Sequence, residues 1–276
     1  PKPRLWRLPQ SQSIVVWYGL KNDGCEAVAA RLAGHRSAGQ TGFSSRTGFP
    51  RQTGFRIPIG ISVAKTNSPA TVETEAGITD YVKAFGTVQD VADYVTVNIS
   101  CPNAFGGEPF TDPAKLDLLL AAIDRLASVK PVFLKLPADL APAELDALLD
   151  VSTRHRVDGY ICSNLTKRRD NPRVSERDVP AKGGLSGQPT ELLANALISH
   201  CYQRLRGRAI IIGSGGVFTA EDAYVKIRLG AWLVQLITGM IYRGPQAIGE
   251  INQGLVRLLK RDGYTNVSQA VGAGHR

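Results

Sequence analysis

Short apolar runs alternate with amphipathic segments from residue 57 to residue 259. The runs are rich in Val and Ile, and the segments between them carry leucine at helical spacing. Strands that are apolar on both faces indicate a parallel sheet covered by helices. The sequence therefore predicts an α/β fold, either an open doubly wound sheet or a (β/α)8 TIM barrel. The predicted strands are residues 57–63, 94–98, 132–136, 159–163, 209–212 and 233–238.

Two carboxamides and a thiol lie at the end of the second predicted strand. Asn98 ends this run, and Cys101 and Asn103 follow it. A thiolate can act as a base or a nucleophile, and asparagine side chains both donate and accept hydrogen bonds. Pro102 favours an extended Cys101, so the loop can direct all three side chains to one point. The alternative is a tight turn that buries a small cysteine without chemistry.

Other strand ends carry residues suited to an anionic ligand. Two glycine-rich segments, residues 183–187 and 213–216, each precede a predicted helix, where a phosphate can approach the backbone. The alternative for each segment is a glycine-rich turn without a ligand. Lys135 lies within an apolar strand, where a lysine is costly unless it is paired. The anionic edge of a cofactor is one candidate partner.

Composition narrows the class of protein. The 276 residues are 43% hydrophobic, enough for one large domain, and the net charge of +9 favours anionic partners. Arginines are not interleaved with aromatic residues in a stripe, so a nucleic-acid partner is not expected. The four cysteines show no C-x-x-C spacing, so no metal site or disulfide framework is expected. No apolar run of membrane-spanning length occurs.

Residues 34–56 differ from the rest of the chain. Thr-Gly-Phe recurs there at residues 41–43, 47–49 and 53–55. These repeats are too short and too few for a repeat fold. We expect a low-complexity loop insertion within a single domain that spans residues 1–276.

Several spaced motifs, taken in order, resemble dihydroorotate dehydrogenase, the flavin mononucleotide (FMN) enzyme of de novo pyrimidine (UMP) biosynthesis. The resemblance covers nearly the whole chain outside residues 34–56. The motifs that carry it are residues 2–8, 98–103, 133–137, 163–166, 183–189, 212–216 and 259–264.

The resemblance implies a (β/α)8 barrel with FMN at the carboxyl ends of the strands. Cys101 would be the base that removes the C5 proton of dihydroorotate while the C6 hydride passes to the flavin. Asn98, Asn103 and Asn164 would hold the substrate. The residues implied in cofactor binding are Asn98, Lys135, Ser163, Gly187, Gly216, Ile237 and Thr238.

The sequence features that bear on the electron acceptor favour two different classes of the family. Quinone-linked members usually have serine as the base, and a cysteine such as Cys101 is typical of soluble members linked to fumarate or NAD. Residues 2–8, the 183–187 loop and the C-terminus resemble the quinone-linked class, so we expect a cysteine variant of that class. Val16, Ser62 and Leu165 stand where the family usually has polar site residues.

The chain begins with Pro1, and about six of the eight expected βα units are visible. We expect an enzyme truncated at its N-terminus, located in the cytoplasm or peripherally on the cytoplasmic face of the membrane. Membrane contact would come only through a missing N-terminal segment. The alternatives are another flavin barrel of the same superfamily and a non-catalytic remnant.

Overall fold

A computed structural model describes residues 2–38 and 57–276 of the chain. Its centre is a six-stranded parallel sheet with the order β3-β4-β5-β6-β8-β9. The sheet confirms the predicted α/β architecture and the six visible βα units. The strands of this sheet are β3 (Gly60–Val63), β4 (Tyr94–Asn98), β5 (Val132–Leu136), β6 (Gly159–Cys162), β8 (Ile210–Ser214) and β9 (Leu233–Gln235).

A second, smaller sheet has three antiparallel strands: β1 (Leu5–Leu8), β2 (Ser13–Val16) and β7 (Gly184–Leu185). β1 and β2 form a hairpin, and β7 pairs with β2 across most of the chain length. The sequence predicts only an extended chain for residues 1–21, because the partner of β2 lies too far along the chain to be recognised locally.

Helices cover the parallel sheet, and some of them begin at side-chain caps. The Asp112 side chain accepts a hydrogen bond from the Lys115 amide, and Thr219 forms a capping box with Asp222. The helices are α1 (Cys25–Ala38), α2 (Thr74–Val88), α3 (Pro113–Asp124), α4 (Pro142–Ser152), α5 (Glu191–Leu205), α6 (Ala220–Arg228), α7 (Thr238–Arg243), α8 (Ala247–Arg261) and α9 (Val267–Ala270). In the part of the chain that the structure describes, no helix combines the length and apolar character needed to cross a membrane.

The alternation of side chains along each strand separates two apolar clusters. Leu134 and Tyr160 belong to the large core under the helices. Phe133, Ile161 and Ile212 form a separate cluster on the opposite, inner face of the sheet. Because side chains alternate between faces, Lys135 lies on the inner face with Phe133. The inner face thus changes from apolar to polar towards the carboxyl ends of the strands.

Three predicted boundaries are wrong by three residues or more. The sixth strand ends at Gln235, and Thr238 begins α7 instead of ending the strand. The first strand begins at Gly60, after Pro58, which has no amide hydrogen to donate to a sheet. The first helix continues to Ala38, so residues 34–38 of the predicted 34–56 insertion are helical. The Thr-Gly-Phe repeats of that insertion lie outside the described residues.

Replacing Leu134 tests the packing under the helices. Leu134 is fully buried at the centre of β5, and Leu134→Ala should lower the free energy of unfolding by about 3 kcal/mol through lost burial and a cavity. Urea denaturation followed by circular dichroism measures this change. The matched control is Leu118→Ala on α3, where the leucine is 56% exposed and the expected change is about 0.5 kcal/mol or less. Equal losses in the two variants would contradict this packing.

Candidate active site

A cavity of about 550 Å³ lies over the carboxyl ends of the parallel strands, beneath the β1–β2 hairpin. All the site residues predicted from the sequence line this one cavity, although their roles are not tested by this placement. They are Asn98, Cys101, Asn103, Lys135, Ser163, Asn164, Gly187, Gly216, Ile237 and Thr238.

Strand register places Asn98 beside Lys135. β4 and β5 are parallel neighbours, and Asn98 is the register partner of Lys135. Burial lowers the pKa of Lys135, and the nearby Cys101 raises it. Among the described residues, the Lys135 ammonium has no hydrogen-bond acceptor. Its three donors therefore remain available to a ligand in the cavity.

Hydrogen bonds fix the turn between Asn98 and Cys101. The Tyr81 hydroxyl donates to the backbone carbonyl of Asn98 at 2.7 Å. The Asn98 side-chain oxygen accepts from the Ser100 hydroxyl at 2.8 Å and from the Ser100 amide at 3.2 Å. From the loop after β6, Asn164 Nδ2 donates to the Ser100 carbonyl at 2.5 Å. The turn is thus held by β4, α2 and the loop after β6 together.

Asn103 connects the same loop to the hairpin. Its Nδ2 donates to the backbone carbonyl of Val16 at 2.9 Å. This contact uses the backbone of β2, so the apolar Val16 side chain does not interfere with it. The hairpin therefore forms a wall of the cavity, with Leu5, Ile14 and Tyr18 among its lining residues.

Cys101 is 8% exposed. Burial and the negative charge of Glu108 raise its pKa, whereas the backbone amides of Asn103 and Ala104 and the charge of Lys167 lower it. Burial has the largest effect, so the thiol is predominantly protonated at neutral pH in the free cavity. A base at this position gains reactivity as the pH rises.

The opposite end of the cavity is lined by backbone. Gly216 has φ +69°, and a Cβ there would lie 2.6 Å from Glu191 Cα. A Cβ at Gly187 would lie 2.2 Å from the Gln12 carbonyl oxygen. The Thr238 hydroxyl donates to Ser186 Oγ at 2.8 Å, which fixes α7 against the loop after β7. Only glycine leaves room for the backbone in this part of the cavity, so a ligand here would contact main-chain amides.

Sequence reasoning missed two buried residues behind the Cys101 loop. Lys65 follows β3 and is 4% exposed, and Tyr81 on α2 is 2% exposed. The signal for Lys65 was present, because a lysine directly after an apolar strand is as unusual as Lys135 within one. Tyr81 gives no such signal, since a tyrosine on a helix face is ordinary core. No cluster of metal-ligating side chains occurs in residues 2–38 and 57–276.

Comparisons with known proteins agree with the fold. The family model described as dihydroorotate dehydrogenase matches residues 1–259. A protein of Anaeromyxobacter dehalogenans named dihydroorotate dehydrogenase (quinone) is 40% identical, and the alignment covers 100% of this chain and 71% of that protein. A Myxococcus xanthus protein of the same name is 38% identical over 100% of this chain and 71% of the relative.

A solved structure is also similar. The crystal structure of DHODH from Eimeria tenella in complex with ferulenol superimposes with a TM-score of 0.87 at 28% identity. The superposition covers 100% of this chain and 75% of that one. The likeness to this structure therefore extends over the full length of the chain.

Gly216→Ala tests the backbone end of the cavity. The positive φ and the contact with Glu191 should lower the free energy of unfolding by about 2 kcal/mol. In the control Gly86→Ala, on helix α2, no atom lies within 4 Å of the new Cβ. That variant should be more stable by about 0.5 kcal/mol, because alanine favours helix. Two changes of the same sign in urea denaturation would show that the loop geometry is wrong.

Proposed function

The chain belongs to the dihydroorotate dehydrogenase family, and on that premise we propose that it oxidises (S)-dihydroorotate to orotate in de novo pyrimidine biosynthesis, with FMN as cofactor and a quinone as electron acceptor. One observation carries the proposal: a thiol, the carboxamides of Asn98, Asn103 and Asn164, a glycine-lined backbone and an ammonium without an acceptor among the described residues surround one cavity. Residues 1–276 would act as a single FMN-binding domain, in the cytoplasm or at the cytoplasmic face of the membrane.

The residues present fit FMN. The Lys135 ammonium has no acceptor among the described residues and would meet the electron-rich edge of the flavin ring. The main chain at Gly187 and Gly216 lines the cavity, and an added Cβ there would collide with the Gln12 carbonyl oxygen and with Glu191. Main-chain amides in such a glycine-lined segment are suited to a phosphate. Ile237 and Thr238 would hold the ribityl chain and phosphate, and Ser163 and Asn98 would face the ring. When bound, FMN supplies the acceptor for the C6 hydride of the substrate.

The protein residues would position the substrate and move one proton. Asn98, Asn103 and Asn164 would bind the ring amides and carboxylate of dihydroorotate, since carboxamides can both donate and accept. Asn98 and Asn164 are already fixed through Ser100, so binding would require little further ordering. Cys101 would remove the C5 proton onto its sulfur as the general base.

A quinone acceptor is favoured over fumarate or NAD by the named relatives, which are quinone-linked. The cysteine base by itself would favour the fumarate- or NAD-linked class. A non-catalytic remnant is the other alternative. The experiments below distinguish the quinone-linked enzyme from the fumarate- or NAD-linked class and from a non-catalytic remnant.

Removing the thiol tests the role of Cys101. Cys101→Ala should slow flavin reduction by dihydroorotate about 10²–10⁴-fold, because the proton acceptor is lost. Anaerobic stopped-flow absorbance measures this rate. The control Cys25→Ala removes a thiol that does not line the cavity and should leave the rate unchanged. An unaltered rate in Cys101→Ala would exclude Cys101 as the base.

The pH dependence of the same rate follows from the raised pKa of Cys101. The reactive form is the thiolate, so flavin reduction should accelerate steadily between about pH 7 and pH 9. A rate that is constant across this range would mean that a group with a lower pKa, or no protein base, takes the proton.

The acceptor is tested by reoxidation of the reduced flavin. A short-chain quinone analogue should reoxidise it faster than fumarate or NAD⁺ in the same anaerobic apparatus. If fumarate or NAD⁺ were much faster than the quinone, the assignment to the quinone-linked class would be wrong.

A further inference from the structure

Lys65 is a buried lysine that the proposed chemistry does not use. It follows the carboxyl end of β3 and is 4% exposed. Its ammonium donates to the backbone carbonyl of Phe105 at 2.8 Å and lies 3.4 Å from Thr71 Oγ1. A Cβ added at Gly77 would lie 3.3 Å from Lys65 Cδ, so α2 packs closely against the lysine stem. The side chain is therefore held in one position by three parts of the chain.

The ammonium of Lys65 lies behind the Cys101 loop. Lys65, Cys101, Asn98 and Tyr81 line a small cavity of about 10 Å³. Lys65 is absent from the lining of the 550 Å³ cavity, whereas Cys101 contributes to both. Cys101 therefore borders both of these cavities, whereas Lys65 borders only the smaller of the two.

Lys65 makes no ion pair with a carboxylate in the described part of the chain. The carboxylate that affects the pKa of Lys65 is Asp80. Its two oxygens accept hydrogen bonds from the Thr66 amide at 2.6 Å and the Thr66 hydroxyl at 2.9 Å. Burial lowers the pKa of Lys65, while Asp80 and Cys101 raise it. A buried ammonium without a direct counter-ion is costly, and the thiol beside it must first lose its proton to become the reactive thiolate anion.

We propose that Lys65 is a positioning residue for Cys101: its ammonium fixes the loop through the Phe105 carbonyl, and its charge stabilises the Cys101 thiolate from behind. The proposal rests on the proposed function in so far as Cys101 is the base of the reaction. Removing a positive charge near a thiol raises the pKa of that thiol, so loss of Lys65 makes the thiolate rarer at any given pH.

Four other titratable groups also face Cys101, and their effects on the pKa of its thiol must be distinguished from the effect of Lys65. Glu108, on the same loop, raises the pKa of the thiol, and Lys167, after β6, lowers it. Lys135 on β5 interacts with the thiol from the large cavity. Tyr81 on α2 is neutral, since burial raises the pKa of its hydroxyl. Among the three lysines, Lys65 is the one that is hydrogen-bonded to the Cys101 loop itself.

The test measures how fast iodoacetamide alkylates Cys101 from pH 6.5 to pH 10.5. All variants carry Cys25→Ser, which removes the partly exposed cysteine. The protein is alkylated as purified, and the alkylated Cys101 peptide is then quantified by mass spectrometry. Lys65→Met should raise the midpoint of the profile by about one pH unit, which slows alkylation about tenfold below the midpoint. Lys65→Arg should restore the rate to within about twofold, because it keeps the charge. Glu108→Gln should shift the midpoint downward.

The matched control is Lys83→Met. Lys83 is 64% exposed and pairs with Glu26 at 2.7 Å, so the same change of net charge there should leave the profile unaltered. A folded Lys65→Met protein with an unshifted midpoint would overturn the proposal, as would an equal shift in Lys83→Met. The readout is alkylation, which needs neither flavin reduction nor substrate, so failure of dihydroorotate to reduce the flavin would remove the proposed function alone.

A second measurement applies if Lys65→Met does not fold. Coupling between two titrating groups is reciprocal, so Cys101→Ala should lower the pKa of Lys65 by about the shift expected for the thiol. ¹³C NMR of lysine labelled at Cε follows this titration in the folded protein. A Lys65 pKa that is unchanged by Cys101→Ala would overturn the proposal without the Lys65 variant.

Discussion

The site depends on the parallel pairing of β4 with β5. Their register makes Asn98 the partner of Lys135, and the alternation of side chains puts the apolar partners of both strands under the helices. A shift of one residue would turn Lys135 into the core and move Leu134 into the cavity. Burial of Leu134 and its neighbours therefore fixes the direction in which the polar residues point.

The arrangement of the strands brings several ionisable side chains into a buried region, where loss of hydration makes their charged forms costly. Lys65 and Lys135 both have pKa values lowered by burial, and Cys101 has one that is raised. The neutral amines of the two lysines and the neutral thiol of Cys101 are less costly to bury than their charged forms. The ammonium and thiolate forms, in turn, attract each other. The same balance would suit the proposed base, a thiolate that accepts a proton at one stage of a reaction and loses it to solvent later.

The parallel sheet and the residues that line the cavity could be predicted from the sequence. The long-range strand pairing and the hydrogen bonds around the cavity could not. Apolar runs locate strands such as β5 because both faces are buried, and strand ends converge whatever the details of the loops. The pairing of β2 with β7 could not be predicted, since it joins segments far apart in the chain. The hydrogen bond from Asn103 to Val16 depends on that same pairing. Thr238 was assigned to a strand because its apolar neighbours continue the pattern past Gln235, but the strand ends at Gln235 and α7 begins at Thr238.

The decisive measurement is the visible absorption spectrum of the chain supplied with FMN, recorded before and after anaerobic addition of dihydroorotate. We expect bound flavin with bands that bleach when the substrate is added, because Cys101, Lys135 and the glycine-lined end of the cavity would act together. A protein that retains no FMN after gel filtration, or that binds FMN without bleaching, would contradict the proposed function.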